Sequence, residues 1–311
     1  MKEYKIEKLD YNQFDVLIPL MKSCFGLETD IEYFKWKFLD NPAGTFVGFI
    51  AKSELDEVAA YYGVIPERYY IEGEEHTLYQ SCDTMTHPEH RRKGLFQKLA
   101  THCFDYLKSN SNLNIIGFSG EESTPGFIKF GWSHLFDMRN YFYPKQLNFQ
   151  NKPISEVIES ESLNVILPLV KKSNSKCSIS LIKDESYLIW RYSNPNRRYS
   201  FLTLDKSFIS YYIESKKIFI MDYYFSSSTE AKKLLKQLKY ILNLKNLQAI
   251  VIFIREKSDD SNQFRSLGFI FNPFKKGPLS YKVPFIVLAE ENSRLFNSNS
   301  WLPRAIDHDA M

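Results

Sequence analysis

Apolar residues change their spacing along the chain, and each change marks an element. Residues 4–9 alternate like a short strand, and residues 12–24 follow with Phe14, Ile18, Leu20 and Met21 near helical spacing. A second helix is predicted over residues 31–39, with Asp30 as cap and Asn41-Pro42 as stop. Strand-like runs come next at residues 46–51, 58–65 and 78–86, with a turn at 72–75 between the last two. Beyond Pro88, Leu95, Leu99, Cys103 and Tyr106 recur in steps of three and four, predicting a helix over 94–108. Residues 113–119 read as a strand, 125–130 as a helical turn and 134–143 as a further strand. The predicted order is strand, two helices, three strands, helix, strand, helix, strand.

The second half repeats that order. Tyr33 to Pro42 is similar to Tyr187 to Pro195, with Trp36 opposite Trp190. Tyr61-Tyr62 has a counterpart in Tyr211-Tyr212, Asp83 in Asp222, and Gly131-Trp132 in Gly268-Phe269. The offsets are 154, 150, 139 and 137, and they drift in one direction, as unrelated coincidences would not. The reading is a duplicated α/β unit, divided near residues 145–153 into 1–148 and 149–311, with a tail from residue 284. The plainer alternative is two unrelated stretches that share common dipeptides.

Composition fits a chain with a large core: 44% hydrophobic and 16% aromatic residues rule out a disordered polymer. Lys and Arg number 40 against 37 Asp and Glu, a net charge of +3, so neither nucleic acid nor an anionic membrane is implied as partner. Cys24, Cys82, Cys103 and Cys177 are widely spread without a C-x-x-C pair, which fits a reducing compartment. The charged start, Lys2 to Lys8, offers no apolar signal core, and no stretch of ~18 apolar residues occurs. The expectation is a soluble cytoplasmic protein, with no membrane insertion. Nothing in the sequence fixes its oligomeric state.

The stretch richest in chemistry is Asp83 to Phe96. A strand ends at Thr86, a basic loop with Gly94 follows, and a helix begins. Free amides at a helix start, a helix dipole and a glycine that lets the chain approach closely are what a phosphate needs. Arg91, Arg92 and Lys93 add attraction. A solvated basic loop before a helix is the bland alternative.

Arg91-Arg92-Lys93-Gly94-Leu95-Phe96 resembles the acyl-CoA pyrophosphate loop of the GCN5-related N-acetyltransferases (GNAT). Residues 126–132, Gly-Phe-Ile-Lys-Phe-Gly-Trp, resemble that family's fourth helix and the turn into its sixth strand. The resemblance covers residues 1–145 and continues more weakly through Phe264 to Phe269. It implies an α/β fold with a mixed sheet, a tandem GNAT member whose first unit is competent and whose second is degenerate. It further implies acetyl-CoA as acyl donor, held by Met85 and Thr86 at the strand end and by Arg91, Arg92, Lys93, Gly94, Leu95 and Phe96 in the loop. Two departures stand out. Phe96 replaces the pattern's Gly or Ala, and Phe127 stands where the family often has a tyrosine acid. In the second half, Phe225 to Ala231 replaces the loop with neither Gly nor Arg, and Ser228 or Thr229 caps a helix.

The activity this implies is acyl transfer to a small-molecule amine, an amino sugar or metabolite, bound between the units. Alternatives are a non-catalytic acyl-CoA sensor or scaffold, or an aminoacyl-type transferase on the same tandem fold. Candidate bases are Asp83, Glu121, Glu122 and His87, each with a plain alternative: a paired strand carboxylate, an acidic loop, a surface histidine. Tyr61 and Tyr62 lie on the third strand, where one must face inward; the pattern favours a core tyrosine, and a phenol there could replace the missing acid. Neither His87 nor His90 has a companion at metal-ligand spacing, and no metal is expected. Trp301, Asp307, His308 and Asp309 read as an exposed, frayed tail.

Overall fold

The computed structural model describes residues 4–121, 123–145, 152–170 and 178–309. The first half runs β1 (Lys5–Lys8), a 3-10 turn (Tyr11–Val16), α1 (Leu17–Phe25), α2 (Ile31–Phe38), β2 (Val47–Lys52), β3 (Val58–Ile71) and β4 (Glu74–Thr86). It continues through α3 (Leu95–Asn110), β5 (Ile115–Phe118), α4 (Thr124–Lys129) and β6 (Ser133–Pro144). The second half holds β7 (Ile158–Ser160), α5 (Leu167–Val170), β8 (Ile179–Leu181), α6 (Glu185–Tyr192), β9 (Tyr199–Leu204), β10 (Ser207–Glu214) and β11 (Lys217–Tyr224). Then come α7 (Ser228–Leu244), β12 (Ala249–Arg255), α8 (Asp259–Ser266) and β13 (Lys282–Leu288). The caps form as the sequence predicts: Asp30 accepts from the Tyr33 amide at 3.0 Å. Asp184 caps α6 in the same way. The helix at 228–244 is capped one residue earlier than expected, by Ser227.

All the described strands join one sheet, ordered β1-β2-β3-β4-β5-β13-β6-β12-β11-β10-β9-β7, with β8 on the outer end of β3. β13 lies between β5 and β6 and pairs antiparallel with both. β6 in turn pairs with β12. Strand pairing therefore runs across the expected division at 148, and residues 282–288 are sheet rather than tail. The proposed boundary segment itself falls partly on residues 146–151, outside the described residues.

Side chains alternate between two faces of this sheet. On one face Tyr61, Met85 and Phe201 join α1, α2 and α6 in a core that spans both halves. On the other, α3 covers Ala60, Tyr62 and Ile115, while α7 covers Tyr211, Ile220 and Ile252. At the centre Trp36 and Trp190 stack at 5.5 Å. Each indole N–H donates to the other's backbone carbonyl at 2.6 Å.

The C-terminal segment is neither exposed nor frayed. Trp301, Ala305 and Ile306 are buried in the shared core, and Asp307 is buried beside them. The segment is held by hydrogen bonds because an extended backbone crossing a core must place every amide and carbonyl. Arg191 donates to the carbonyls of Ile306 (2.9 Å) and His308 (2.7 Å). Gln80, fully buried, donates to the Asp307 carbonyl and accepts from the Asp309 amide, both at 2.7 Å. Lys183 pairs with Asp307 at 3.0 Å, and Arg304 with Asp222 at 2.9 Å.

Candidate functional site

β4 and β5 run parallel and pair over Tyr79–Ser81 and Ile115–Gly117, after which they separate. A bulge begins the separation. Tyr61 pairs with Met85 and Gly63 with Cys82, so Tyr62 faces two residues, Asp83 and Thr84. Asp83 takes a positive φ of 46° there. The gap between the strands opens into a cavity of about 800 Å³. Its near walls include Ser81 to Thr84 of β4 and Gly117 to Glu121, the end of β5 and the turn after it. Tyr33 of α2 closes one side, and Asn194, Asn196, Arg197 and Glu214 come from the second half. His308 and Asp309 lie against it as well.

Beyond Thr86 the chain turns through Pro88–His90 into the basic loop and α3. Gly94 sits at φ 72°, a left-handed conformation that glycine adopts without strain, and an added Cβ would meet nothing within 4 Å. Arg91, Arg92, Lys93 and Gly94 are exposed. The first amides of α3 have no acceptor within the helix. Leu95 and Met85 are buried, so they can meet a ligand through main-chain atoms alone. Phe96 turns away from the loop and packs on Phe127 at 5.0 Å, Phe130 at 5.4 Å and Tyr62 at 5.8 Å. The bulky residue at the small-residue position thus fills the α3–α4 contact, over Gly126, instead of the loop.

Asp83 borders the cavity as part of an ion triad. Lys37 Nζ donates to Asp83 at 2.6 Å and to Asp309 at 2.8 Å, and the lysine is 1% exposed. Tyr33 OH accepts from the same ammonium at 3.5 Å. Burial raises the Asp83 carboxyl above its usual range, against the pull of Lys37. For Asp309 burial also pushes upward, but Lys37 and His308 outweigh it and the carboxyl is lowered. Burial likewise opposes the Lys37 charge, and the two carboxylates more than offset it. Tyr33 is pushed up to about 12 by burial and stays a neutral phenol. Cys82 Sγ and the two carboxylates lie within 4.8 Å of one another, a spacing that would suit a cation. The cation there is the Lys37 ammonium.

The other sequence candidates separate. Glu121 borders the cavity, exposed, and accepts from the Lys282 amide at 3.4 Å. Tyr61 does not reach the cavity. It is fully buried, and its ring lies so close over Gly63 that an added Cβ would stand 2.1 Å from the hydroxyl. It is a core tyrosine, and burial holds its phenol far above the usual range. His87 caps the turn before the loop, and His90 bonds Tyr4 at 2.8 Å. Glu122 lies outside the described residues.

Sequence reasoning missed Lys37, Gln80, His308 and Asp309. A faint signal exists for Lys37: it lies three residues after Phe34 and one before Phe38, on the apolar stripe of its helix, where a charge must find partners. For the tail residues no local signal exists, because their setting is made by distant parts of the chain, from Lys37 and Gln80 to Arg191 and Phe253.

Residues 5–135 match the family model of an acetyltransferase (GNAT) domain. No curated protein matches the sequence. Among solved structures, a GCN5-related N-acetyltransferase from Anabaena variabilis aligns with TM-score 0.63 at 14% identity, over 92% of this chain and 72% of that one. Another, from Kribbella flavida, gives 0.64 at 12%, over 92% and 71%. Saccharomyces cerevisiae N-myristoyltransferase with bound myristoyl-CoA gives 0.64 at 12%, over 92% and 83%. At such identities the likeness is one of fold, and it runs through both halves of the chain. The family model thus covers the first half of the chain, and the solved structures share its mixed α/β fold. Among the described residues, no helix is long and apolar enough to cross a membrane, and Cys24, Cys82 and Cys103 are free thiols.

Proposed function

We propose that the protein transfers an acyl group, acetyl in the first instance, from acyl-CoA to the amine of a small molecule bound between the two halves of the chain. The observation that carries this reading is the parting of β4 from β5 beside an exposed, glycine-started helix, with an 800 Å³ cavity behind the gap. In this reading the amides of residues 91–96 and the charges of Arg91, Arg92 and Lys93 hold the pyrophosphate, and main-chain groups at Met85 and Thr86 hold the pantetheine arm. The residues present fit that role: the loop is open, and Phe96 leaves it clear. The thioester supplies an already activated carbonyl, so the protein's part is to position the amine, dry it and handle its proton. Tyr33, Phe118 and Phe127 give the cavity apolar walls, and Asp83 and Glu121 put carboxylates on two sides of it. The second half acts as the far wall, through Asn194, Asn196, Arg197 and Glu214. We read it as a second copy of the unit without the loop, its helix α7 starting at a plain serine cap.

The test is calorimetric titration with acetyl-CoA of the wild-type protein and of Gly94→Glu, with CoA thiol release as the readout of transfer. The variant forces a side chain into a left-handed conformation and sets a carboxylate where phosphate should lie. Wild-type binding and at least ~10-fold weaker binding by the variant, about 1.4 kcal/mol, is the expected result. No binding to the wild type would overturn the proposal.

A further inference from the structure

We infer that His308 is a catalytic residue of this transfer, the group that takes the proton leaving the attacking amine, with Asp309 orienting it. The inference rests on the acyltransferase reading and deepens it.

The geometry is that of a base with an orienting carboxylate. His308 borders the cavity in the company of Asp83 and Glu121. Its Nδ1 lies 3.4 Å from Asp309 Oδ1. Asp309 is itself fixed by Lys37 through its other oxygen at 2.8 Å. The imidazole packs against Phe118 of β5 at 4.5 Å and Phe253 of β12 at 5.7 Å. Its backbone carbonyl is gripped by Arg191. A ring held by aromatic rings, a carboxylate and a pinned backbone is pre-organised, as a proton acceptor should be. The groups bearing on its charge are Asp309, which favours the imidazolium, and Arg191, Lys37 and Arg197, which oppose it. Burial, with the three cations, outweighs Asp309 and holds the ring neutral, lowered to about 4. Asp83 is less suited to the task, because Lys37 occupies it directly.

The step balances. The neutral amine adds to the thioester carbonyl, forming the C–N bond and a cationic nitrogen far more acidic than a free ammonium. One proton passes from that nitrogen to the imidazole of His308, and Asp309 faces the imidazolium formed. The C–S bond breaks, and the proton leaves His308 for the departing thiolate, giving amide, CoA thiol and neutral imidazole.

The experiment uses full-length wild type, His308→Gln and His308→Ala. Acetyl-CoA is the donor, and spermidine, glucosamine, 2-phenylethylamine and water are the acceptors. Thiol release reads turnover, and calorimetry reads acetyl-CoA binding. Both variants are expected to bind acetyl-CoA like the wild type and to lose ~10²–10⁴-fold in kcat. Added imidazole should restore part of the activity of His308→Ala, as a merely structural role would not allow. A folded His308→Gln protein with wild-type kcat overturns the inference and leaves the acyltransferase reading standing. Wild type that binds acetyl-CoA but releases no thiol with any acceptor overturns it too. Wild type that binds no acetyl-CoA overturns both.

Discussion

Replacing Lys37 by methionine removes a buried cation and keeps a side chain of similar length. Asp83 and Asp309 are 9% and 6% exposed at the side chain, and Lys37 sits between them at 2.6 and 2.8 Å. Without it two carboxylates face each other in a nearly dry site. Breaking a buried ion pair by removing one partner costs about 3–5 kcal/mol, because the abandoned charge keeps its desolvation penalty. The size of the loss should depend on pH, and the sign follows from the carboxyls. In the variant both have folded pKa values above the unfolded ones. The protonated form is then favoured by folding, and stability falls as pH rises through the folded values. In the wild type the lowered Asp309 works the other way: its contribution is present above the unfolded value near 3.8 and is lost in acid. The gap between the two proteins should therefore be widest at neutral pH and narrow toward pH 4. Urea unfolding at pH 5 and pH 8 measures it, and Lys37→Met with Asp309→Asn should recover part of the loss. A variant within ~1 kcal/mol of wild type at pH 8 would refute the reasoning, since that is the value of a surface pair.

Three further outcomes are expected. Wild-type stability should drop by about 3 kcal/mol between pH 6.5 and pH 4 on account of His308, whose depressed value means that acid must charge a buried ring, and His308→Gln should flatten that part of the curve. Gly63→Ala should lower stability by about 3 kcal/mol or more in thermal unfolding, because the new methyl collides with the Tyr61 phenol. Trp36→Phe should cost about 1–3 kcal/mol by deleting one of the donors to the Trp190 carbonyl, which keeps Ser193, and by shrinking the buried indole stack, and adding Trp190→Phe should cost less than a second independent loss, as a double-mutant cycle would read.

The parts legible in the sequence were those governed by neighbours. The helix after Gly94, the strand before Pro88 and the Asp30 cap follow from spacing and cap chemistry within a few residues. Trp36 and Trp190, matched by their offset, meet in reciprocal hydrogen bonds. What stayed hidden depends on distant chain. The bulge at Asp83 is set by pairing with β3, and no local residue announces it. Glu121, singled out by its place after a strand, borders the cavity. Tyr61 was misjudged as a site candidate because alternation says that one of two adjacent tyrosines faces a given side, without saying what lies there. The tail looked expendable because polar residues dominate it, and its partners (Gln80, Lys183, Arg191) are individually unremarkable polar positions in sequence.

The place of β13 has a consequence for how the protein is made. Synthesis runs from the first residue to the last, and β5 emerges with its outer edge vacant. β6 cannot fill that edge, because its own position is one strand further out. The missing strand begins at Lys282, 164 positions after Phe118. At ~5–20 residues per second, the ribosome needs roughly 8–30 s to reach it. Through that interval the nascent chain carries an open, apolar sheet edge, the kind of surface to which holding chaperones bind. The cleft beside β5 gains its outer wall only when β13 has emerged, so competence should arrive after that strand, in one step.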